Sequence, residues 1–198
     1  MGGQNTVQIL SRRIKVRRTG EIRIIHLYPS RAFGNGDHET TASCLRLLEQ
    51  MDLAGKRILD LGSGNGILSI AAGFLGGEDI VSVDIWSEAA VACRANVRLN
   101  GFDHIIRVVT GTIDVFAPDT FDLIMANMHG DILISQAGQI AGKLKNGGHC
   151  ILSGILYEDH YEVRKSFAEH GGVPGKSIFM NDYTTLFLVK NGDSEKSA

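Results

Sequence analysis

Along the chain, hydrophobic and polar positions follow two rhythms, one of period two and one near 3.6, and the switches between them mark out the elements. Residues 21–28 (EIRIIHLY) predict a short strand, closed by Pro29. A loop follows. Cys44, Leu45, Leu47, Leu48 and Met51 then form an apolar stripe at helical spacing, which predicts a helix over 38–51 with Asp37 as its N-cap. From Lys56 onward the alternation becomes regular. RILDLG (57–62), DIVSVDI (79–85), IIRVVTG (105–111), FDLIMANM (121–128) and HCILSGI (149–155) read as strands. Between them, 66–76, 87–101 and 131–145 read as helices, the second begun by Ser87 and ended by Gly101. A helix over 157–170 precedes two strands near 176–181 and 184–190, joined by Asn181-Asp182.

Strands alternating with helices in this way predict right-handed βαβ units and an α/β, doubly wound sheet of seven strands, mostly parallel. The last two strands are joined too tightly to be parallel, so they predict an antiparallel C-terminal hairpin at one edge. Ligands bind such sheets beyond the carboxyl ends of the strands, where the strand order reverses. That rule makes the first strand–helix turn, 60–66, the presumptive site.

Composition narrows the class. A length of 198 residues suits one domain, and 43% hydrophobic with 21% charged residues is globular. No apolar run approaches the roughly 18 residues that span a bilayer, and the start has no signal-peptide core. Cys44, Cys93 and Cys150 are odd in number and form no CxxC pair, which suits core packing in a reducing cytoplasm. The seven histidines include no HExxH, so no metal is expected. Charge is uneven. Residues 1–23 hold Arg12, Arg13, Lys15, Arg17, Arg18 and Arg23 against Glu21 alone, in a chain of net charge −2. This basic N-terminal arm with short strands (1–28) reads either as a contact for an anionic partner such as RNA or as a solvated strand face. The core domain is expected over 29–190, and the polar tail 191–198 is expected to be disordered.

The chemistry lies in Asp60-Leu61-Gly62-Ser63-Gly64-Asn65-Gly66. Counted from Gly62, a dinucleotide fingerprint needs glycine at the sixth position; Ile67 stands there, and glycine falls at the fifth. No phosphate-binding lysine follows. Asp84, 22 residues after Gly62, ends the second strand, where a carboxylate accepts hydrogen bonds from both hydroxyls of a ribose. Strand, D-x-G-x-G-x-G turn and a following acid together resemble the S-adenosylmethionine (SAM) methyltransferases.

Three further segments sharpen the resemblance: AFGNGDHETT (32–41), Ala126-Asn127 and SGIL (153–156). With the glycine turn and Val83-Asp84 they resemble the PrmA family, whose pattern runs F-G-T-G-x-H-x-T-T, D-x-G-x-G-x-G-I-L, V-D, A-N and S-G-I-L. The likeness covers about residues 22–170. It implies the class I, Rossmann-like methyltransferase fold and SAM as methyl donor, with S-adenosyl-L-homocysteine as product. The acceptor implied is a protein amino group, a ribosomal protein being one candidate. Carried over by position, it implies cofactor contacts from Phe33, Gly34, Thr41, Asp60, Gly62, Ser63, Gly64, Asp84, Ile85 and Asn127, with the loop 33–38 folding over the cofactor.

The sequence departs from the pattern at Asn35 (Thr in the family), at Ser63-Gly64-Asn65 (Cys-Gly-Ser) and at Met128-His129-Gly130 (Ile-Leu-Ala). The family also carries an N-terminal substrate-capture domain, and about thirty residues before the loop are expected to be too few for one. Asn127 is the expected catalytic residue, accepting hydrogen bonds from the amine. His129 is either a proton acceptor beside it or a solvated residue at a helix start. His38 bears either on the loop or on the cofactor carboxylate, and Trp86 either covers the adenine or packs. Rival expectations are a small-molecule or RNA methyltransferase, and a non-catalytic SAM-binding subunit of a complex.

Overall fold

In the computed structural model, which describes residues 12–18, 21–29 and 38–191, the apolar runs of the middle of the chain form one sheet. Its strands are β3 (Arg57–Leu61), β4 (Asp79–Asp84), β5 (Ile106–Thr110), β6 (Phe121–Asn127), β7 (Leu144–Leu156), β8 (Gly172–Phe179) and β9 (Tyr183–Lys190). Their order is β5-β4-β3-β6-β7-β9-β8. Pairing is parallel from β5 to β7 and antiparallel for β7–β9 and β9–β8, the hairpin expected at the edge. From β3 the chain winds outward one way through β4 and β5, then returns to the other side through β6 and β7. The crevice between the β3 and β6 carboxyl ends is therefore the switch point of the fold.

Both faces are covered because each strand is apolar on both. Ile58 and Ile80 pack with Leu48, Ile70, Ala71 and Val97 from helices α1 (Glu39–Leu48), α2 (Ile67–Phe74) and α3 (Ser87–Leu99). Leu59, Leu61, Val81 and Val83 point the other way, against Leu133, Ile140, Val163 and Phe167 of α4 (Gly130–Lys143) and α5 (His160–Ala168). Each large side chain so enclosed contributes roughly 1.5–3 kcal/mol.

The basic N-terminal stretch is structured where it is described. β1 (Arg12–Arg18) and β2 (Glu21–Leu27) form an antiparallel two-stranded sheet of their own. Val16, Ile25 and Leu27 are buried in the first of those clusters. Asn100 fixes β2 by accepting from the His26 amide (3.0 Å) and donating to its carbonyl (2.7 Å). Asn96 accepts from the Tyr28 amide (2.8 Å) and donates to the Asn65 carbonyl (2.9 Å), so one α3 side chain links the hairpin to the glycine turn.

Several boundaries differ from the sequence reading. His38, not Asp37, is the N-cap of α1, its side chain accepting from the Thr40 amide; Asp37 lies outside the described residues. That helix ends at Leu48 because Gln50 and Met51 turn back onto Leu47 and Leu48. Trp86, not Ser87, stands at the N-cap of α3. The last predicted helix divides into a 3₁₀ turn, Tyr157–Asp159, and α5. Residues 30–37, with Phe33, Gly34 and the rest of the loop, and 192–198 of the tail lie outside the described residues, as do 1–11. Among the described residues no helix is long and apolar enough to cross a membrane.

Candidate active site

The turn from β3 into α2 reverses direction through three left-handed glycines, Gly62 (φ 70°), Gly64 (φ 54°) and Gly66 (φ 86°). Gly66 has no room for a side chain, since a Cβ there would lie 2.6 Å from the Cys93 sulfur. The amides of Gly62 and Ser63 both donate to the Val83 carbonyl, at 2.8 and 3.0 Å, which ties the turn to β4. Asp84 completes the tie. Its Oδ2 accepts from the Gly64 amide and its Oδ1 from the Trp86 amide, both at 2.9 Å. Each carboxylate oxygen keeps a further lone pair for a ligand hydroxyl.

Behind this turn Asp60 is buried, its Oδ2 accepting from the Ser69 amide (3.0 Å) and hydroxyl (2.6 Å). The Ser69 hydroxyl also meets that of Ser82 at 2.6 Å. Burial pushes the Asp60 carboxyl up to about 6; the Ser69 hydrogen bonds oppose that rise and nearby Asp84 adds to it. Burial likewise pushes the Cys44 and Cys93 thiols up to about 12, and all three cysteines are free and buried.

In front of the turn opens a cavity of about 870 Å³. Gly62, Gly64, Asp84, Ile85, Trp86, Glu88, Ala89 and Ala92 line one half of it. Ile85 and Trp86 are exposed, 61% and 66%, so neither is core packing. The other half is lined by His38, Thr40, Asn127, Met128, His129, Ile132, Gly154 and Tyr183. There the Asn127 Nδ2 donates to the Thr41 hydroxyl at 3.5 Å, while its Oδ1 is buried with no hydrogen-bond partner. Gly154 must be glycine at this point, because a Cβ would stand 2.7 Å from the Met128 carbonyl and 3.0 Å from Asn127 Oδ1. The Met128 thioether lies across Gly62 and so joins the two halves. His129 is exposed at the N-cap of α4 and makes no side-chain capping bond. His38 packs edge-on against Tyr183, ring centroids 4.9 Å apart, with Nδ1 2.8 Å from the Thr40 hydroxyl.

Of the residues singled out from sequence, the fold brings Gly62, Gly64, Asp84, Ile85, Asn127 and His129 to one cavity. Asp60, Ser63 and Thr41 do not line it. Asp60 lies a layer deeper and holds α2 through Ser69, because strand alternation turns it into the interior. Ser63 is buried facing the Cys93 thiol, and Thr41 reaches the cavity only through Asn127, its neighbour Thr40 taking the lining position. Sequence reasoning passed over Ala89, Ala92 and Tyr183. The two alanines carried a legible signal, small residues three apart on the first turns of α3. Tyr183 carried none, since its place depends on β9 entering between β7 and β8.

Among the described residues no group of three or more side chains could hold a metal ion. The donor set suits an organic ligand instead: bare backbone at Gly62 and Gly64, a carboxylate at Asp84, apolar faces at Ile85, Trp86 and Ala89, and an orphan amide oxygen at Asn127.

A family model described as ribosomal protein L11 methyltransferase (PrmA) matches residues 5–186. The ribosomal protein L11 methyltransferase of Geobacter sulfurreducens is 40% identical over 148 residues, 75% of this chain and 48% of that protein. That of Pelobacter propionicus is 42% identical over 150 residues, 73% of this chain and 48% of the relative. The chain thus spans about half the length of the curated relatives it matches. Among solved structures, a ribosomal protein L11 methylase from Lactobacillus delbrueckii subsp. bulgaricus superposes with a TM-score of 0.79 at 29% identity, covering 86% of both chains. A 16S rRNA methyltransferase of T. thermophilus, in complex with AdoMet and guanosine, shares the fold at TM-score 0.71 and 20% identity, covering 91% of this chain and 51% of that one.

Proposed function

From the premise that this chain belongs to the ribosomal protein L11 methyltransferase (PrmA) family, we propose that it transfers a methyl group from SAM to a protein amino group, releasing S-adenosyl-L-homocysteine. The observation that carries this reading is the facing of Asp84 and the glycine turn by Asn127, with its partnerless Oδ1, across one cavity. The relatives' names make ribosomal protein L11 the first acceptor to try. Three buried free thiols support a cytoplasmic setting.

Asp84 would accept the ribose hydroxyls with its remaining lone pairs. Ile85 and Trp86 would cover the adenine, and the backbone at Gly62 and Gly64 would admit the methionine part. When bound there, SAM supplies a methyl on a cationic sulfur. Alignment of acceptor and donor is the main demand of the reaction, and effective molarity from alignment reaches roughly 10⁵–10⁸ M in favourable cases. A lysine amine must also lose a proton, at a cost of roughly 4–5 kcal/mol at pH 7 from an unperturbed value near 10.4. Asn127 Oδ1 accepts a hydrogen bond from that amine and so aims its lone pair. His129, exposed on the same wall, takes the proton toward solvent.

The test is incubation with methyl-labelled SAM and either purified L11 or a fractionated extract, with protease and RNase controls. Label in a protease-sensitive band supports the reading. Label removed by RNase, or none despite S-adenosylhomocysteine binding, overturns it.

A further inference from the structure

Beside the Asn127 wall lies an aromatic patch that the chemistry above does not use. Tyr157 and Phe179 are 66% and 55% exposed, with ring centroids 5.9 Å apart, and the His160 ring sits 5.0 Å from Phe179. The patch adjoins the cavity. The Tyr157 amide donates to the Asp182 carbonyl (3.0 Å), next to the cavity-lining Tyr183, and the Asp159 carboxylate stands against Gly130, next to His129. Two exposed rings in contact beside a pocket form an apolar patch open to a partner.

Charge identifies the occupant. The segments 38–39, 128–132, 157–159 and 179–183, which line this side of the cavity or touch its lining, hold Glu39, Asp131, Glu158, Asp159 and Asp182 and no lysine or arginine. Arg164 stands one turn further along α5. Such a rim repels a phosphate backbone and attracts cations, and aromatic faces add cation–π attraction for lysine and arginine. The geometry points to a docking surface for a lysine- and arginine-rich polypeptide segment flanking the acceptor amine, gripped by Tyr157 and Phe179 and steered by Glu158 and Asp182. This inference rests on the reading of the cavity as a methyl-transfer site, and it adds the chemical class of the segment recognised.

The test uses the full chain saturated with S-adenosylhomocysteine and three fluorescent probes read by anisotropy. One is a short peptide with a central lysine flanked by arginine and glycine. The second has glutamate in place of arginine, and the third is oligouridylate of equal length. The cationic peptide is expected to bind at least about tenfold more tightly than the other two and to weaken as salt rises. Glu158→Lys with Asp182→Lys should weaken it about tenfold, and Tyr157→Ala with Phe179→Ala about fivefold. Cofactor-product affinity and melting temperature should stay unchanged in both. Equal binding of the two peptides, tighter binding of oligouridylate, or wild-type affinity in both double variants overturns the proposal. Calorimetry with S-adenosylhomocysteine separately tests the cavity: its failure removes the methyl-transfer reading, whereas failed peptide discrimination with intact product binding removes only the docking surface.

Discussion

On the β3–β4 side of the cavity the functional groups are held by the backbone. Asp84 gives each carboxylate oxygen to a main-chain amide, Gly62 and Ser63 share the Val83 carbonyl, and Asp60 anchors α2 from below. On the β6–β7 side the same chain leaves Asn127 Oδ1 without a partner, His129 in solvent and two aromatic rings uncovered. The first side is preorganised for the proposed cofactor, since an oxygen already fixed by amides costs no reorganisation on binding. The second side is incomplete without an acceptor. One half thereby contributes to folding, while the other, under the proposed function, contributes to choice of substrate.

That contrast can be broken by substitution. The largest effect is expected for Gly66→Ala, which adds a side chain at φ 86° against the Cys93 sulfur. Strain and overpacking together should cost roughly 4 kcal/mol in urea unfolding. Next comes the pH dependence of Asp60. Its folded value of about 6 lies above the ordinary 3.8, so the folded chain holds the proton more tightly than the unfolded one. Stability should therefore fall by roughly 3 kcal/mol as pH rises from about 4 to about 6 and level off above that. Asp60→Asn should flatten this slope, which unfolding midpoints across that window would show.

Asp84→Ala removes the acceptor of two backbone amides and, under the proposed function, of the ligand hydroxyls. S-adenosylhomocysteine affinity by calorimetry should drop about a hundredfold. Asn127→Ala should act differently, lowering kcat roughly tenfold while product affinity stays within about threefold of wild type. An equal loss in both quantities would place Asn127 in the preorganised half and erase the distinction.

The strand–helix alternation from Lys56 onward was legible because central parallel strands are apolar on both faces, and the structure matches it to within a few residues at most ends. The glycine turn and Asp84 were equally legible, since left-handed backbone and a buried acid leave few residue choices. Less legible were ends set by local competition. His38 rather than Asp37 caps α1, and Asp84 draws the Trp86 amide so that the cap of α3 falls at Trp86, one residue before its apparent cap Ser87. The basic stretch did not announce a hairpin, because Val16, Ile25 and Leu27 gain burial only against helices far along the chain.

By itself the sequence determined the α/β order and the switch-point turn, both of which follow from local periodicity and backbone sterics, and its resemblance to a family supplied the residue types proposed to meet a nucleoside. Tertiary structure alone decided that Thr40 rather than Thr41 lines the cavity and that Tyr183 joins it. It also decided that the Tyr157 and Phe179 rings meet next to the segment that carries the cavity-lining Tyr183. Those outcomes depend on pairing between residues 23 to 40 positions apart, from Phe121 with Leu144 in β6 and β7 to His149 with Val189 in β7 and β9. Register, unlike periodicity, is settled only when the two partners meet.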